Sequence, residues 1–120
     1  MQSIILKDGR RLAYAEYGDP RGKPVFLFHG IPGSRIFRPP LDELTARKRV
    51  RLITVDRPGY GGSSFQPGRR ILEWPADVCA LADALGLARF AVCGHSGGGP
   101  YVLACAAFIP ERLTSVGVIS

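Results

Sequence analysis

Three short runs, residues 25–28, 52–55 and 90–93, are almost wholly apolar and lack the in-and-out alternation of a half-exposed strand. Strands of that kind are covered on both faces, as in a parallel sheet. A fourth run, residues 115–119, extends the series. Helical patterns separate the runs. Pro39, Pro40, Leu41, Asp42 and Glu43 predict a short helix with proline at its first positions, acids in its first turn and Arg47-Lys48-Arg49 at its end, the charge order the helix dipole favours. Pro75 opens a second helix, in which Trp74, Val78, Leu81, Ala82 and Leu85 recur at 3.6-residue spacing. Asp77 and Asp83 fall off that stripe, and Gly86 ends the helix. A third, residues 100–108, is apolar all round, which predicts a buried helix. Before all of these, Asp8-Gly9 separates two short runs and predicts an antiparallel hairpin. The order is therefore a hairpin followed by alternating strand and helix, an α/β fold with a mostly parallel sheet.

Composition narrows the function classes. The 120 residues make one domain at most, and 46% hydrophobic with 22% charged residues excludes a disordered or low-complexity chain. No apolar run approaches the roughly 18 residues of a membrane span, and the N-terminus offers no signal-peptide core. The net charge of +6 sits in separate clusters, Arg10-Arg11, Arg47 to Arg51 and Arg69-Arg70. They form no continuous basic face with interleaved aromatics, so neither nucleic acid nor membrane is expected as a partner. Cys79, Cys93 and Cys105 have neither a C-x-x-C pair nor histidines at zinc spacing, so they are read as reduced, buried apolar residues of a cytoplasmic protein.

The chemistry is concentrated in Gly94-His95-Ser96-Gly97-Gly98-Gly99-Pro100, which fits G-x-S-x-G. A buried strand runs into Gly94 and a buried helix follows Gly97. This is the strand, sharp turn and helix of a nucleophile elbow, with Ser96 at the apex. Gly94 and Gly98 are explained mechanically, because strand and helix pack there too closely for a Cβ. The N–H groups that open the helix face the place where an oxyanion would develop. A second glycine-rich turn, His29-Gly30-Ile31-Pro32-Gly33-Ser34, follows an earlier strand and can aim one more N–H, that of Ile31, at the same spot.

With Asp56-Arg57-Pro58-Gly59-Tyr60-Gly61-Gly62-Ser63 between them, these motifs resemble the α/β-hydrolase superfamily in its order and spacing, over essentially the whole chain. The resemblance implies Ser96 as nucleophile, the N–H groups of Gly97 and Ile31 as oxyanion hole, and no metal or organic cofactor. It also implies a small-molecule substrate with an acyl group: an ester, thioester, activated amide or a carbon–carbon bond beside a ketone. Relatives that open epoxides or carbon–halogen bonds use an aspartate nucleophile, so the serine favours acyl transfer.

In this fold the triad runs Ser, then Asp or Glu, then His. After Ser96 the only carboxylate is Glu111, and no histidine follows. His95, adjacent to the serine, is expected to point under the sheet edge. His29 is expected to hold its loop, and Asp56 to accept N–H groups from the glycine-rich turn after it. Family members run to roughly twice this length, with closing strands and a lid. Residues 1–120 are therefore expected to be the N-terminal portion of a single α/β-hydrolase domain, a truncated and nearly inactive fragment without the C-terminal strands and lid. Substrate and oligomeric state leave no mark in the sequence. Two other readings are a non-catalytic binding module that keeps the fold, and a phosphate cradle. The second lacks both nucleotide fingerprints.

Overall fold

The structure, a computed structural model, describes residues 1–119. Six strands form one mixed sheet: β1 (Gln2–Ile5), β2 (Arg11–Gly18), β3 (Lys23–Phe28), β4 (Val50–Val55), β5 (Phe90–His95) and β6 (Leu113–Ile119). Their spatial order is β1-β2-β4-β3-β5-β6. The expected hairpin joins β1 to β2 antiparallel, and β2 also runs antiparallel to β4. The pairs β4/β3, β3/β5 and β5/β6 are parallel, as the apolar runs predict. β4 lies on one side of β3 and β5 on the other, so the chain changes direction across the sheet at β3. Ligands in open α/β sheets settle in the crevice beyond the C-terminal ends of such a pair.

Among the described residues three helices flank the sheet: α1 (Asp42–Arg47), α2 (Trp74–Ala84) and α3 (Gly99–Phe108). Alternation along the strands divides the two faces. Phe26, Phe28, Ile53, Val55, Phe90 and Val92 form the main core with Trp74, Val78, Leu81, Val102 and Cys105 of α2 and α3. On the opposite face, Leu27, Leu52, Cys93 and His95 line an apolar groove of about 520 Å³ together with Phe37 and with Leu44 of α1.

The structure corrects four expectations. Of the three cysteines only Cys105 is buried; Cys79 and Cys93 are half-buried. Pro39 and Pro40 stand before α1 rather than within it, and Leu41 is the N-cap. A residue preceding proline is pushed to extended backbone, so Pro40 keeps Pro39 out of the helical region. Only one side of α3 is buried. Tyr101, Val102, Ala104 and Cys105 face inward, but Leu103 is 62% exposed and Phe108 55%, because α3 lies beside the outermost strand. Asp77 is buried rather than solvated. Arg10 of the hairpin turn reaches it with two hydrogen bonds, Nη1 to Oδ2 at 3.0 Å and Nη2 to Oδ1 at 2.8 Å. Burial nevertheless raises the Asp77 pKa, with Arg10 pulling against it. The pair ties β1 and β2 to α2.

Candidate active site

Parallel pairing of β3 with β5 sets Phe28 opposite Gly94, so the chain leaves both strands side by side at the same edge of the sheet. From β5 it turns at Ser96 and makes a single 3₁₀ turn, Ser96–Gly98, before α3 begins. Ser96 has φ 51°, one of two non-glycine residues in the left-handed region among the described residues, and it is exposed. Such a conformation costs on the order of 1 kcal/mol and persists only where the surroundings impose it. The surroundings here are glycines. A Cβ on Gly94 would stand 2.5 Å from the Gly98 carbonyl oxygen and 2.8 Å from Val102 Cγ2, and one on Gly98 would overlap the Phe28 carbonyl. Pro100 fits the first turn of α3, where no N–H partner is needed.

From β3 the chain enters the His29-Gly30-Ile31 turn, which lies against this elbow. A Cβ on Gly30 would be 3.3 Å from Ser96 Cβ and 3.5 Å from the Gly97 nitrogen, and one on Gly97 would be 3.5 Å from the Ile31 nitrogen. Ser96, Gly97 and Ile31 are thus brought together from two strands. The α3 N-terminus adds a partial positive charge behind them.

His29 is 1% exposed and both its ring nitrogens are engaged. Nδ1 bonds the Gly30 carbonyl at 2.8 Å, and Nε2 accepts the Arg57 N–H at 3.1 Å, which fixes the tautomer with the proton on Nδ1. Burial lowers its pKa, the hydrogen bond to Gly30 opposing and the Arg57 charge assisting. It is a neutral clamp between two loops, the role expected of it. His95 lies on the α1 face of the sheet with its ring 4.8 Å from that of Phe37, away from the elbow's helix side.

Asp56 is fully buried. Its Oδ2 accepts the Gly62 N–H at 2.8 Å, as the turn after it suggests. Arg35, which the sequence did not single out, adds its own N–H to Oδ1 at 2.5 Å and Nη1 to Oδ2 at 2.6 Å. Arg57 is also buried. It donates from Nε to the His29 carbonyl at 3.2 Å and from Nη2 to the Gly30 carbonyl at 3.4 Å. Its guanidinium carbon lies 5.0 Å from the centre of the Tyr60 ring and 4.4 Å from that of Tyr101. No sequence pattern flags this arrangement, since its members come from the exit loops of β3 and β4 and from α3.

Comparison with known proteins gives the family. Residues 23–120 match the family described as alpha/beta hydrolase fold, and the chain belongs to that family. It is 37% identical over 116 residues to the dihydrolipoyllysine-residue acetyltransferase component of the acetoin cleaving system of Pseudomonas putida, covering 93% of this chain and 30% of that protein. It is 34% identical over 122 residues to the proline iminopeptidase of Xylella fastidiosa, covering 94% and 37%. Among solved structures, the enol-lactonase of Burkholderia xenovorans aligns with a TM-score of 0.85 at 25% identity, over 96% of this chain and 45% of that one. The chain thus spans about a third of the length of these curated relatives.

Proposed function

We propose that this chain presents the nucleophile and oxyanion hole of a serine hydrolase that works through an acyl-enzyme. The observation that carries the reading is Ser96, exposed at φ 51° between β5 and α3, with the Ile31 nitrogen packed beside Gly97. Ser96 Oγ would attack the carbonyl carbon of an ester, thioester, activated amide or ketone-linked acyl group. The carbonyl oxygen, now negative, would accept the N–H groups of Gly97 and Ile31. Collapse would expel the leaving group, and water would then release the acid. Each oxyanion donor of this kind contributes ~2.7–4 kcal/mol in the transition state. A lactone, named for the Burkholderia relative, contains an acyl–oxygen bond of the same class. The free cysteines support a reducing, cytoplasmic setting.

The general base must come from outside these residues. The His29 nitrogens are occupied and His95 lies on the other face. Loss of the histidine from a comparable triad costs about 2 × 10⁶ in kcat. This also favours a second reading, a fold kept without its chemistry, and one experiment separates the two. The chain is incubated with p-nitrophenyl acetate and added imidazole as external base, and acetylated peptides are mapped by mass spectrometry. Acetylation at Ser96 that imidazole accelerates and Ser96→Ala abolishes is the expected result. A folded chain that never carries acetate on Ser96 has lost the nucleophile and belongs to the second reading.

A further inference from the structure

Arg57 is a buried cation, and the ion pairs among the described residues do not include it. An unpaired buried charge is costly unless other dipoles solvate it. Here two carbonyls and two tyrosine faces do so. The carbonyls are those of His29 and Gly30, the two peptides leading into Ile31. A trans peptide carries its C=O and N–H on opposite edges. With the Gly30 oxygen held by Arg57 Nη2 and His29 Nδ1, the Ile31 N–H is turned to the opposite edge, the side on which Gly97 lies. Tyr101, the other wall of the guanidinium site, stands on the first turn of α3, so one side chain spans the loop that carries Ile31 and the helix behind Ser96.

We infer that Arg57 is a positioning residue for the oxyanion hole: it holds the His29 and Gly30 carbonyls away from the elbow and thereby aims the Ile31 N–H at the carbonyl oxygen undergoing attack. The inference rests on the reading of Ser96 as nucleophile and Ile31 as donor. A leucine or methionine could fill the space between the tyrosines; only a forked donor also orients the two carbonyls.

The test compares Arg57→Met and Arg57→Lys with the unaltered chain, following imidazole-assisted acetylation of Ser96 by p-nitrophenyl acetate and, separately, the amide resonances of ¹⁵N-labelled protein. Arg57→Met is expected to slow acetylation by about ten- to a hundredfold at an unchanged half-saturating ester concentration. Arg57→Lys, which keeps the charge but not the fork, should recover part of that loss. The Ile31 amide resonance should move in both variants, while those of β1 and α2 stay in place. Folded variants that acetylate at the unaltered rate, or an unmoved Ile31 resonance, overturn the inference. So does loss of the fold in both variants, which would make Arg57 purely structural. If the unaltered chain never acetylates Ser96, the hydrolase reading falls and takes the oxyanion role of Arg57 with it, and a moved Ile31 resonance then shows only that Arg57 orients that peptide.

Discussion

Strain at Ser96 is a measurable quantity at the scale of one residue. A glycine adopts φ 51° without a Cβ penalty. Ser96→Gly should therefore raise stability by about 1 kcal/mol in urea denaturation while removing all acetylation at that position. A destabilised glycine variant would mean that the turn does not strain the serine. His29 makes the residue-scale prediction for pH. Burial holds its pKa below the ordinary 6.5, so between the two values the unfolded chain binds a proton that the native chain does not. Stability from His29 is fully present above pH 6.5 and is lost as pH falls toward the lowered native value. Thermal unfolding followed from pH 8 to pH 5 should show this decline, and His29→Gln should flatten it. The thiols make a third case. Burial pushes Cys105 up to about 12 and raises Cys79 and Cys93 as well, so iodoacetamide at neutral pH should leave Cys105 unlabelled until the chain is unfolded.

The strand–turn–helix element depends on how closely two backbones approach. A Cβ at Gly98 meets the Phe28 carbonyl, which belongs to the central strand and has no freedom to retreat. Gly98→Ala should cost about 3 kcal/mol in chemical denaturation. At Gly97 the added Cβ would make ordinary contact, 3.4 Å from Ile31 Cγ1. Gly97→Ala should thus change stability by less than about 1 kcal/mol, so two adjacent glycines of one motif are expected to differ strongly. The motif itself was legible because a strand, three small residues and a helix follow one another in sequence. The ion pair of Arg10 with Asp77 was not, because 67 positions separate the partners and the helical spacing places Asp77 off the apolar stripe. α3 misled in the opposite direction. Its composition is apolar on every side, yet Leu103 and Phe108 are exposed, since burial depends on neighbours and not on hydropathy.

For the whole molecule, the dominant feature is the open side of the sheet. Among the described residues β6 pairs only with β5; Val116 and Val118 on the α3 side of the sheet and Ile119 on the opposite side are each more than half exposed. An apolar strand with unpaired N–H and C=O groups templates further pairing. The chain should therefore self-associate with rising concentration in light scattering, and Val116→Lys, a charge placed on that edge, should suppress it. A concentration-independent monomer would show that the edge is protected. Among the described residues no helix is long and apolar enough to cross a membrane.

Local order in the sequence determined the elements, the parallel character of the sheet and the position of the elbow, because apolar runs, turn glycines and helix-start prolines act over a few residues. Only the tertiary structure decided what stands beside Ser96. Strand register set Phe28 level with Gly94 and brought the Ile31 turn to the elbow, while burial drew Arg57 from β4's exit loop between Tyr60 and Tyr101. Those contacts join residues far apart along the chain, and their energy comes from excluding water around groups that no local pattern connects.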